Sequence, residues 1–315
     1  MVKTSSNGLL IDGYDYFKKQ SIIEFILYIV GGMLTLSLFI NLINPKKEGF
    51  GVQKKMVLKS GGDIYDDFYA NQYDVILYNK KRNRFEVGVI RKQTDVTEES
   101  IILDVGSGVG HHVDEFSNEN IKAIGIDNSL SMVNKAKSTY PNNDYRNLDA
   151  TDETSFSKDT FTHITCFNFT VYYMQNKDLF FKNCYSWLKP GGYVIINLVD
   201  SKGFDPVLTS SNPFEVSSSK YVKKCNHNNT TVKLVDYDYK SNFEIYPNDS
   251  TAVFREQFKE VTSGNIRKHE LRLFMPTQKE VVNIAKHVGF ILLGKVDMST
   301  CTNDSQYLYI FQKPT

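Results

Sequence analysis

Several features that define other classes of protein are scarce in this chain. Tryptophan occurs once in 315 residues, and the four cysteines are Cys166, Cys184, Cys225 and Cys301. They lie far apart and form no Cys-x-x-Cys or Cys/His ligand pattern, which argues against a disulfide framework and a zinc site. We therefore expect reduced thiols in a cytosolic compartment and no metal cofactor.

An excess of charge is also missing. The 37 Lys and Arg residues are balanced by 36 Asp and Glu residues, so the formal net charge is +1. Proteins that bind nucleic acid through the phosphate backbone need a concentration of positive charge. We expect no nucleic-acid partner.

Charge is absent altogether from one stretch near the N-terminus. Residues 25–43 contain no Asp, Glu, Lys or Arg, and a helix of this length spans about 28 Å, close to the thickness of a bilayer core. The pattern predicts a transmembrane anchor over 22–43. A signal peptide or a buried core helix is the alternative, although Asn44-Pro45-Lys46 does not resemble a cleavage site.

The flanks of this segment predict its orientation and the division of the chain. More lysines follow the segment than precede it, which favours a cytosolic location for the larger C-terminal part. We divide the chain into a tail (1–21), the anchor (22–43), a linker (44–61) and one globular domain (62–315).

Within that domain, short apolar runs alternate with amphipathic stretches, a pattern typical of an α/β fold with a parallel sheet. The predicted strands are 101–105, 121–126, 143–147, 161–168 and 192–199, and the predicted helices are 110–118, 129–140 and 176–188. Alternating stretches in about 205–275 predict an inserted antiparallel lid. A further helix and an antiparallel hairpin at the sheet edge end the chain.

A glycine-rich turn follows the first predicted strand. Gly106, Gly108 and Gly110 form Gly-x-Gly-x-Gly, and His111 stands where a dinucleotide-binding fingerprint has its third glycine. Glycines between a strand and a helix bring backbone N–H groups close to a polar or anionic ligand. The spacing disfavours a nicotinamide-dependent reductase.

The second predicted strand ends at Asp127. A carboxylate at this position can accept hydrogen bonds from both hydroxyls of a ribose. It can also cap the following helix. Because Asn128 or Ser129 can cap the helix equally well, we favour the ribose role.

Taken together, these motifs resemble a class I S-adenosylmethionine-dependent methyltransferase. The matching elements are DVGSGVG at 104–110, Asp127, Asp149 and LKPGG at 188–192, and the resemblance covers roughly 60–315. It implies a Rossmann-like, mostly parallel sheet with an antiparallel last strand. Residues 163–206 are similar to uncharacterised methyltransferases of large DNA viruses, which suggests a viral protein.

The resemblance also implies a binding site for S-adenosylmethionine. Asp104 would orient the loop and the amino group, while the methionine part, the ribose and the adenine would be held by the remaining residues: Gly106, Ser107, Gly108, Gly110, Asp127, Asn128, Asp149 and Ala150. An alternative role for Asp149 is to cap the helix that follows.

The catalytic residues are less clear from the sequence. In this fold the segment CFNFTVYYM faces the transferring methyl group, which makes Asn168, Tyr172 and Tyr173 candidates, with simple packing as the alternative. Upstream, Tyr65, Tyr69 and Tyr73 recur every four residues, as on one face of a helix. They either roof the cofactor or dock the helix.

The sequence therefore predicts a membrane-anchored methyltransferase that uses S-adenosylmethionine. Its acceptor is a small molecule, a lipid or a protein. The alternative is a catalytically silent domain that binds the cofactor or serves as a membrane-tethered interaction module. We expect a single-pass membrane protein with its methyltransferase domain on the cytosolic side.

Overall fold

A computed structural model describes residues 22–43, 54–201, 204, 206, 223–226, 229–301 and 305–315. It divides into two units, Met1–Gln53 and Lys54–Thr315. The predicted tail (1–21), residues 44–53 of the predicted linker and much of the first part of the predicted lid lie outside the described residues.

The described part of the first unit is helix α1, Ile22–Ile43. Its apolar side chains from Phe25 to Ile40 are exposed. Among the helices that the structure describes, none has the length and apolar character needed to cross a membrane. The structure therefore does not support the predicted transmembrane anchor at 22–43.

A seven-stranded core sheet dominates the second unit. In chain order its strands are β2 (Ile101–Val105), β3 (Lys122–Asp127), β4 (Asp144–Asn147), β5 (Phe161–Cys166), β6 (Leu188–Val199), β12 (Ile291–Asp297) and β13 (Gln306–Gln312). Their spatial order is β12-β13-β6-β5-β2-β3-β4. Strands β2 to β6 pair in parallel, and β13 is antiparallel to both of its neighbours. This confirms the Rossmann-like sheet, the antiparallel last strand and the terminal hairpin.

The described part of the second unit contains six α-helices. They are α2 (Asp67–Ile76), α3 (Lys80–Gln93), α4 (His111–Asn118), α5 (Leu130–Thr139), α6 (Lys177–Trp187) and α7 (Gln278–Val288). The sequence predicted α4 to α7, but it did not predict α3. The buried face of α3 includes the polar residues Arg82, Asn83 and Glu86, so the apolar periodicity that marks most surface helices is weak there.

The second sheet is the lid. It contains β1 (Met56–Ser60), β7 (Lys223–Asn226), β8 (Asn229–Lys233), β9 (Tyr237–Tyr246), β10 (Thr251–Glu260) and β11 (Ile266–Phe274), in the order β1-β11-β10-β9-β8-β7. All pairs are antiparallel except β1 with β11. The predicted antiparallel lid is present. Residues 56–60, which the sequence assigned to the linker, instead form its edge strand because they find a partner about 210 residues further along the chain.

The two sheets are stabilised by different kinds of burial. In the layer of helices beside the core sheet, Trp187 at the end of α6 is fully buried and packs edge-to-face on Phe156. On β10, every second side chain is buried, and these include Phe254, Glu256 and Phe258. The carboxylate of Glu256 therefore lies in the apolar core of the lid. The lid therefore buries a charged group that needs partners.

Glu256 has these partners. Its carboxylate accepts hydrogen bonds from the hydroxyls of Tyr239 at 2.7 Å and Tyr69 at 3.3 Å, and His269 Nδ1 lies 3.2 Å away. The Nε–H of Arg267 donates to His269 Nε2 at 2.6 Å, which leaves the proton of a neutral His269 on Nδ1, facing Glu256. Because Tyr69 belongs to α2, this network joins the lid to the helix beside the glycine-rich loop.

Candidate functional site

The glycine-rich loop begins where β2 ends. Gly106, Gly108 and Gly110 have φ values of 68°, 55° and 94°, which are left-handed conformations that favour glycine. A Cβ atom at Gly106 would lie 2.3 Å from Thr170 Cγ2. The loop therefore requires glycine at this position for two reasons, the backbone conformation and the closeness of the segment after β5.

The end of β3 meets the same loop. Asp127 Oδ2 accepts a hydrogen bond from Gly108 N–H at 3.0 Å, and Oδ1 accepts one from Ser129 N–H at 2.8 Å. Burial raises the pKa of Asp127, and these backbone bonds oppose the rise. Ser129 caps α5, since its hydroxyl accepts from Met132 N–H. The helix therefore does not depend on Asp127 for its cap.

A cavity of about 800 Å³ opens at this edge of the core sheet. This volume is within the range of small-molecule sites. Six of the residues predicted to bind the cofactor line it: Gly106, Gly108, Asp127, Asn128, Asp149 and Ala150. Residues that follow three neighbouring strands, β2, β3 and β4, thus converge on one space.

Three predicted cofactor residues do not line the cavity. Gly110 is the N-cap of α4, and its carbonyl accepts a hydrogen bond from the Tyr145 hydroxyl at 2.9 Å. The Ser107 hydroxyl is turned toward Gly125, where an added Cβ atom would lie 2.7 Å away. Asp104 is buried in β2. Gly110 therefore contributes to the shape of the loop, and Ser107 lines a second, smaller pocket beside the cavity.

Asp104 is nevertheless only partly satisfied. Thr165 Oγ1 donates to Asp104 Oδ1 at 2.7 Å, whereas Oδ2 is buried without a hydrogen-bond partner. Burial raises the pKa of Asp104 to about 6. A carboxylate in this state gains stability from a nearby cation.

Asp149 lies at the exposed side of the cavity. Its Oδ1 accepts hydrogen bonds from the backbone N–H and the hydroxyl of Thr151 at 2.8 and 2.7 Å. The short 3₁₀ helix that follows, Glu153–Ser155, is capped by Asp152. Helix capping by Asp149, the alternative role, is therefore not observed.

A small polar pocket adjoins the cavity on the α3 side and was not anticipated from the sequence. Arg82 is 1% exposed and pairs through Nε with Glu86 at 2.9 Å. Both of its Nη atoms are buried without partners, as are the Nδ2 atoms of Asn79 and Asn83. All three side chains line the pocket. Four unpartnered donors in one place are chemically suited to a carboxylate or another small anion.

These unpartnered atoms test whether the site fits S-adenosylmethionine. The amino-acid part of the cofactor carries an ammonium and a carboxylate. Ser107 and Val109 of the loop line the same small pocket as Arg82, and Asp104, just before the loop, has an unpartnered carboxylate oxygen. Asp127 stands at the strand end suited to a ribose. The described residues therefore offer groups that match the charged parts and the ribose of the cofactor.

The segment after β5 forms the other end of the cavity. Asn168 and Phe169 have φ values of 48° and 50°, which is unusual for a bulky residue such as phenylalanine. The turn is stabilised on the side of the core, where the Oδ1 of the buried Asn197 accepts a hydrogen bond from Phe169 N–H at 3.0 Å. In front, Asn168 Nδ2 lies 3.4 Å from the Tyr73 hydroxyl. Local strain of this kind concentrates at functional sites.

The candidate tyrosines separate into two groups. Tyr65, Tyr73 and Tyr173 line the cavity with Asn168, and burial raises the pKa of each hydroxyl. Tyr69 instead docks α2 on Glu256.

Tyr172 lies behind the wall, where its hydroxyl accepts a hydrogen bond from Val199 N–H at 3.1 Å. Of the three catalytic candidates, the structure therefore brings Asn168 and Tyr173 to the cavity but not Tyr172.

The lid completes the cavity with the last residues of β11. Glu270, Leu271, Arg272 and Phe274 line it. Glu270 accepts a hydrogen bond from Arg255 Nε at 2.8 Å. Within the described residues, no group of three or more histidines, cysteines or carboxylates is arranged to hold a metal ion.

Comparisons with known proteins agree with this geometry. Residues 102–192 match the family model for a methyltransferase domain. The phosphoethanolamine N-methyltransferase of Plasmodium falciparum is 24% identical over 212 residues, which cover 62% of this chain and 73% of that relative. Phosphoethanolamine N-methyltransferase 3 of Arabidopsis thaliana is 31% identical over 116 residues. The chain spans only 20% of that plant relative.

Solved structures share the fold. An S-adenosylmethionine-dependent methyltransferase from Clostridium acetobutylicum has a TM-score of 0.59 and 16% identity, with 79% of this chain and 99% of that chain covered. An amino pentose methyltransferase from Micromonospora echinaspora, solved with S-adenosylmethionine bound, has a TM-score of 0.51 and 15% identity. The aligned part covers 75% of this chain and 92% of that structure's chain.

Fold, site and comparisons together define a class I methyltransferase domain. Its cofactor is S-adenosylmethionine. Both the Plasmodium falciparum and the Arabidopsis thaliana relative are named N-methyltransferases, and the chain is a methyltransferase enzyme.

Proposed function

We propose that this enzyme transfers the methyl group of S-adenosylmethionine to the amine nitrogen of a small acceptor. The main observation that supports this proposal is the group of aromatic side chains at the end of the cavity opposite Asp149. Tyr65, Tyr73, Phe169 and Tyr173 line it together with Asn168. Aromatic faces attract cations, so this end of the cavity suits both a sulfonium and the methylated ammonium product.

The tyrosine hydroxyls favour an amine for a second reason. Tyrosine hydroxyls are neutral at physiological pH, and burial raises the pKa of these three further. Neutral hydroxyls can accept hydrogen bonds from the N–H groups of an amine and leave its lone pair directed at the methyl carbon. The chain's contribution to the in-line displacement is therefore alignment and exclusion of water.

We assign binding of the cofactor to polar residues outside this aromatic group. S-adenosylmethionine supplies an activated methyl group on sulfur. We assign its carboxylate to the unpartnered donors of Arg82, Asn79 and Asn83, and its ammonium to the neighbourhood of Asp104. The ribose is assigned to Asp127 and the adenine to the surroundings of Asp149 and Ala150.

The names of the relatives suggest the first acceptor to test. Phosphoethanolamine combines a primary amine with a phosphate, and Arg272 at the lid side of the cavity offers a guanidinium suited to a phosphate. The amino pentose methyltransferase in the structural comparison suggests amino sugars as a second class. Both classes place the reacting amine on a small polar molecule.

The test is transfer of labelled methyl from S-adenosylmethionine to phosphoethanolamine, ethanolamine and an amino sugar. Wild type is compared with Asp127→Ala and with Asp144→Ala, a nearby exposed aspartate paired with Arg146. We expect label on at least one amine with wild type and Asp144→Ala, and a large loss with Asp127→Ala. Label found only in extracted lipid or protein would replace the small-amine proposal. Binding of S-adenosylmethionine without any transfer would favour the silent cofactor-binding module.

Association with a lipid surface on the cytosolic side is a separate proposal. It is supported by the exposed apolar side chains of α1 from Phe25 to Ile40, because an apolar surface of this extent favours a membrane or protein partner. Fractionation of cells that express the full chain or residues 54–315 tests it. Equal recovery of both forms in the soluble fraction would exclude this role for α1. The similarity to viral methyltransferases stays a prediction.

A further inference from the structure

One buried lysine lies beside the acceptor end of the cavity without lining it. Lys177 is the first residue of α6 and is only 3% exposed. Its ammonium donates hydrogen bonds to the carbonyl oxygens of Met174 at 2.7 Å and Phe274 at 2.8 Å. One side chain thus connects two chain segments that are about 100 residues apart in sequence.

This placement is costly for a lysine. A buried ammonium loses its hydration, and a cation at the N-terminus of a helix opposes the helix dipole. Among the described ion pairs, Lys182 on the same helix pairs with Asp178, but none includes Lys177. Burial lowers the pKa of Lys177 to about 8, so the cation still predominates at neutral pH. A residue that violates several local preferences at once is a candidate for a role in function.

The two carbonyl groups belong to opposite walls of the acceptor end. Met174 continues the segment that carries Asn168 and Tyr173, and Phe274 ends the lid strand that carries Leu271 and Arg272. Met174 and Phe274 both line the cavity. The distance between the core wall and the lid wall is thus fixed at this point by the two hydrogen bonds of one ammonium.

We infer that Lys177 is a positioning residue for the acceptor, which sets the separation of the two walls by holding the carbonyls of Met174 and Phe274. It touches neither the reacting atoms nor the residues assigned to the cofactor. Its loss is therefore expected to affect the acceptor and to spare S-adenosylmethionine. This inference rests on the proposed function only in its kinetic test, which needs an amine that the enzyme methylates.

The experiment compares Lys177→Met with Lys177→Arg, which keeps a cation and several donors, and with Lys182→Met, an exposed lysine on the same helix. For Lys177→Met we expect kcat/KM for the acceptor to fall by about tenfold or more, mainly through KM, with the Kd for S-adenosylmethionine within about twofold of wild type. We expect Lys177→Arg to recover part of the loss and Lys182→Met to match wild type.

A second measurement needs no acceptor. Hydrogen exchange of the folded variants is expected to be faster in residues 172–176 and 270–275 for Lys177→Met, and unchanged around the glycine-rich loop. If no amine is methylated by wild type, the proposed function fails and the exchange result still decides the role of Lys177. An equal loss of cofactor and acceptor binding, or unchanged KM and exchange in Lys177→Met, would overturn the inference. If that variant does not fold, Lys177→Arg decides: a partly raised KM for the acceptor with a wild-type Kd for S-adenosylmethionine supports the inference, and a lowered melting temperature with wild-type KM contradicts it.

Discussion

The proposed cofactor end and the proposed acceptor end of the cavity differ in how they are built. At the cofactor end, Gly106, Gly108 and Asp127 act largely through backbone conformation and backbone N–H groups. At the acceptor end, aromatic side chains from α2, the segment after β5 and a separate sheet meet. The first end is specified by a short piece of sequence, whereas the second depends on tertiary contacts between distant segments.

The largest expected effect breaks the cofactor end alone. Gly106→Ala places a Cβ 2.3 Å from Thr170 in a left-handed backbone conformation, so we expect the Kd for S-adenosylmethionine to rise by at least about 100-fold. Titration calorimetry measures this. Gly88→Ala in α3, where an added Cβ meets nothing within 4 Å, is the matched control. Equal cofactor affinity in both variants would contradict the assignment of the loop.

The next effect breaks the lid. Glu256→Ala leaves Tyr69, Tyr239 and His269 without their buried acceptor, and we expect the free energy of unfolding to fall by about 3 kcal/mol. Urea denaturation measures the loss. The exposed Glu244, which pairs with Arg255 on the same sheet, is the control, and Glu244→Ala is expected to change stability by less than about 0.5 kcal/mol. A loss as small for Glu256→Ala would show that the buried network does not stabilise the lid.

A pH series sharpens the comparison at the cofactor end. Burial raises the pKa of Asp104 to about 6. The carboxyl group of Asp104 therefore binds a proton more readily in the native state than in the unfolded chain. The stability that this protonated form contributes is lost as pH rises through about 6. A bound cofactor ammonium favours the ionised form. We therefore expect affinity for S-adenosylmethionine to weaken by up to about tenfold per pH unit below 6. Asp104→Asn is expected to remove this slope, and a slope that survives the substitution would assign it to another group.

The smallest effects separate two adjacent tyrosines. Tyr172→Phe removes a hydroxyl that binds Val199 N–H behind the wall, and we expect a loss of about 1 kcal/mol in stability with unchanged methyl transfer. Tyr173→Phe alters the cavity itself, and we expect kcat/KM to fall by about fivefold with little change in stability. Thermal melts and initial rates distinguish the two. Slower methyl transfer in Tyr172→Phe together with a loss of stability alone in Tyr173→Phe would contradict these two assignments.

The core sheet could be predicted because each of its parts is marked locally. Apolar runs, the three glycines and the acidic strand end at Asp127 all fall within stretches of a few residues. Even here β5 ended earlier than predicted, at Cys166, since the chain turns at Asn168 and Phe169 with positive φ. Asparagine tolerates positive φ but phenylalanine rarely adopts it, so the pair does not mark the turn in the sequence.

The rest could not be predicted for a physical reason. Helix α3 buries Arg82 and Glu86, which pair with each other, and a buried ion pair is indistinguishable in sequence from a solvated one. Strand β1 exists through its partner β11. The donors around Arg82 and the carbonyls held by Lys177 likewise become a site only when distant segments meet.

The lone tryptophan gives this protein a built-in optical probe. Trp187 is fully buried, and its indole N–H lies 3.4 Å from the carbonyl of Glu153, a few residues after Asp149 and Ala150. Its fluorescence therefore reports on the core next to the proposed adenine end with no interference from other indoles. Excitation of this one ring distinguishes an event at the cofactor end from an event in the lid, which carries no tryptophan of its own.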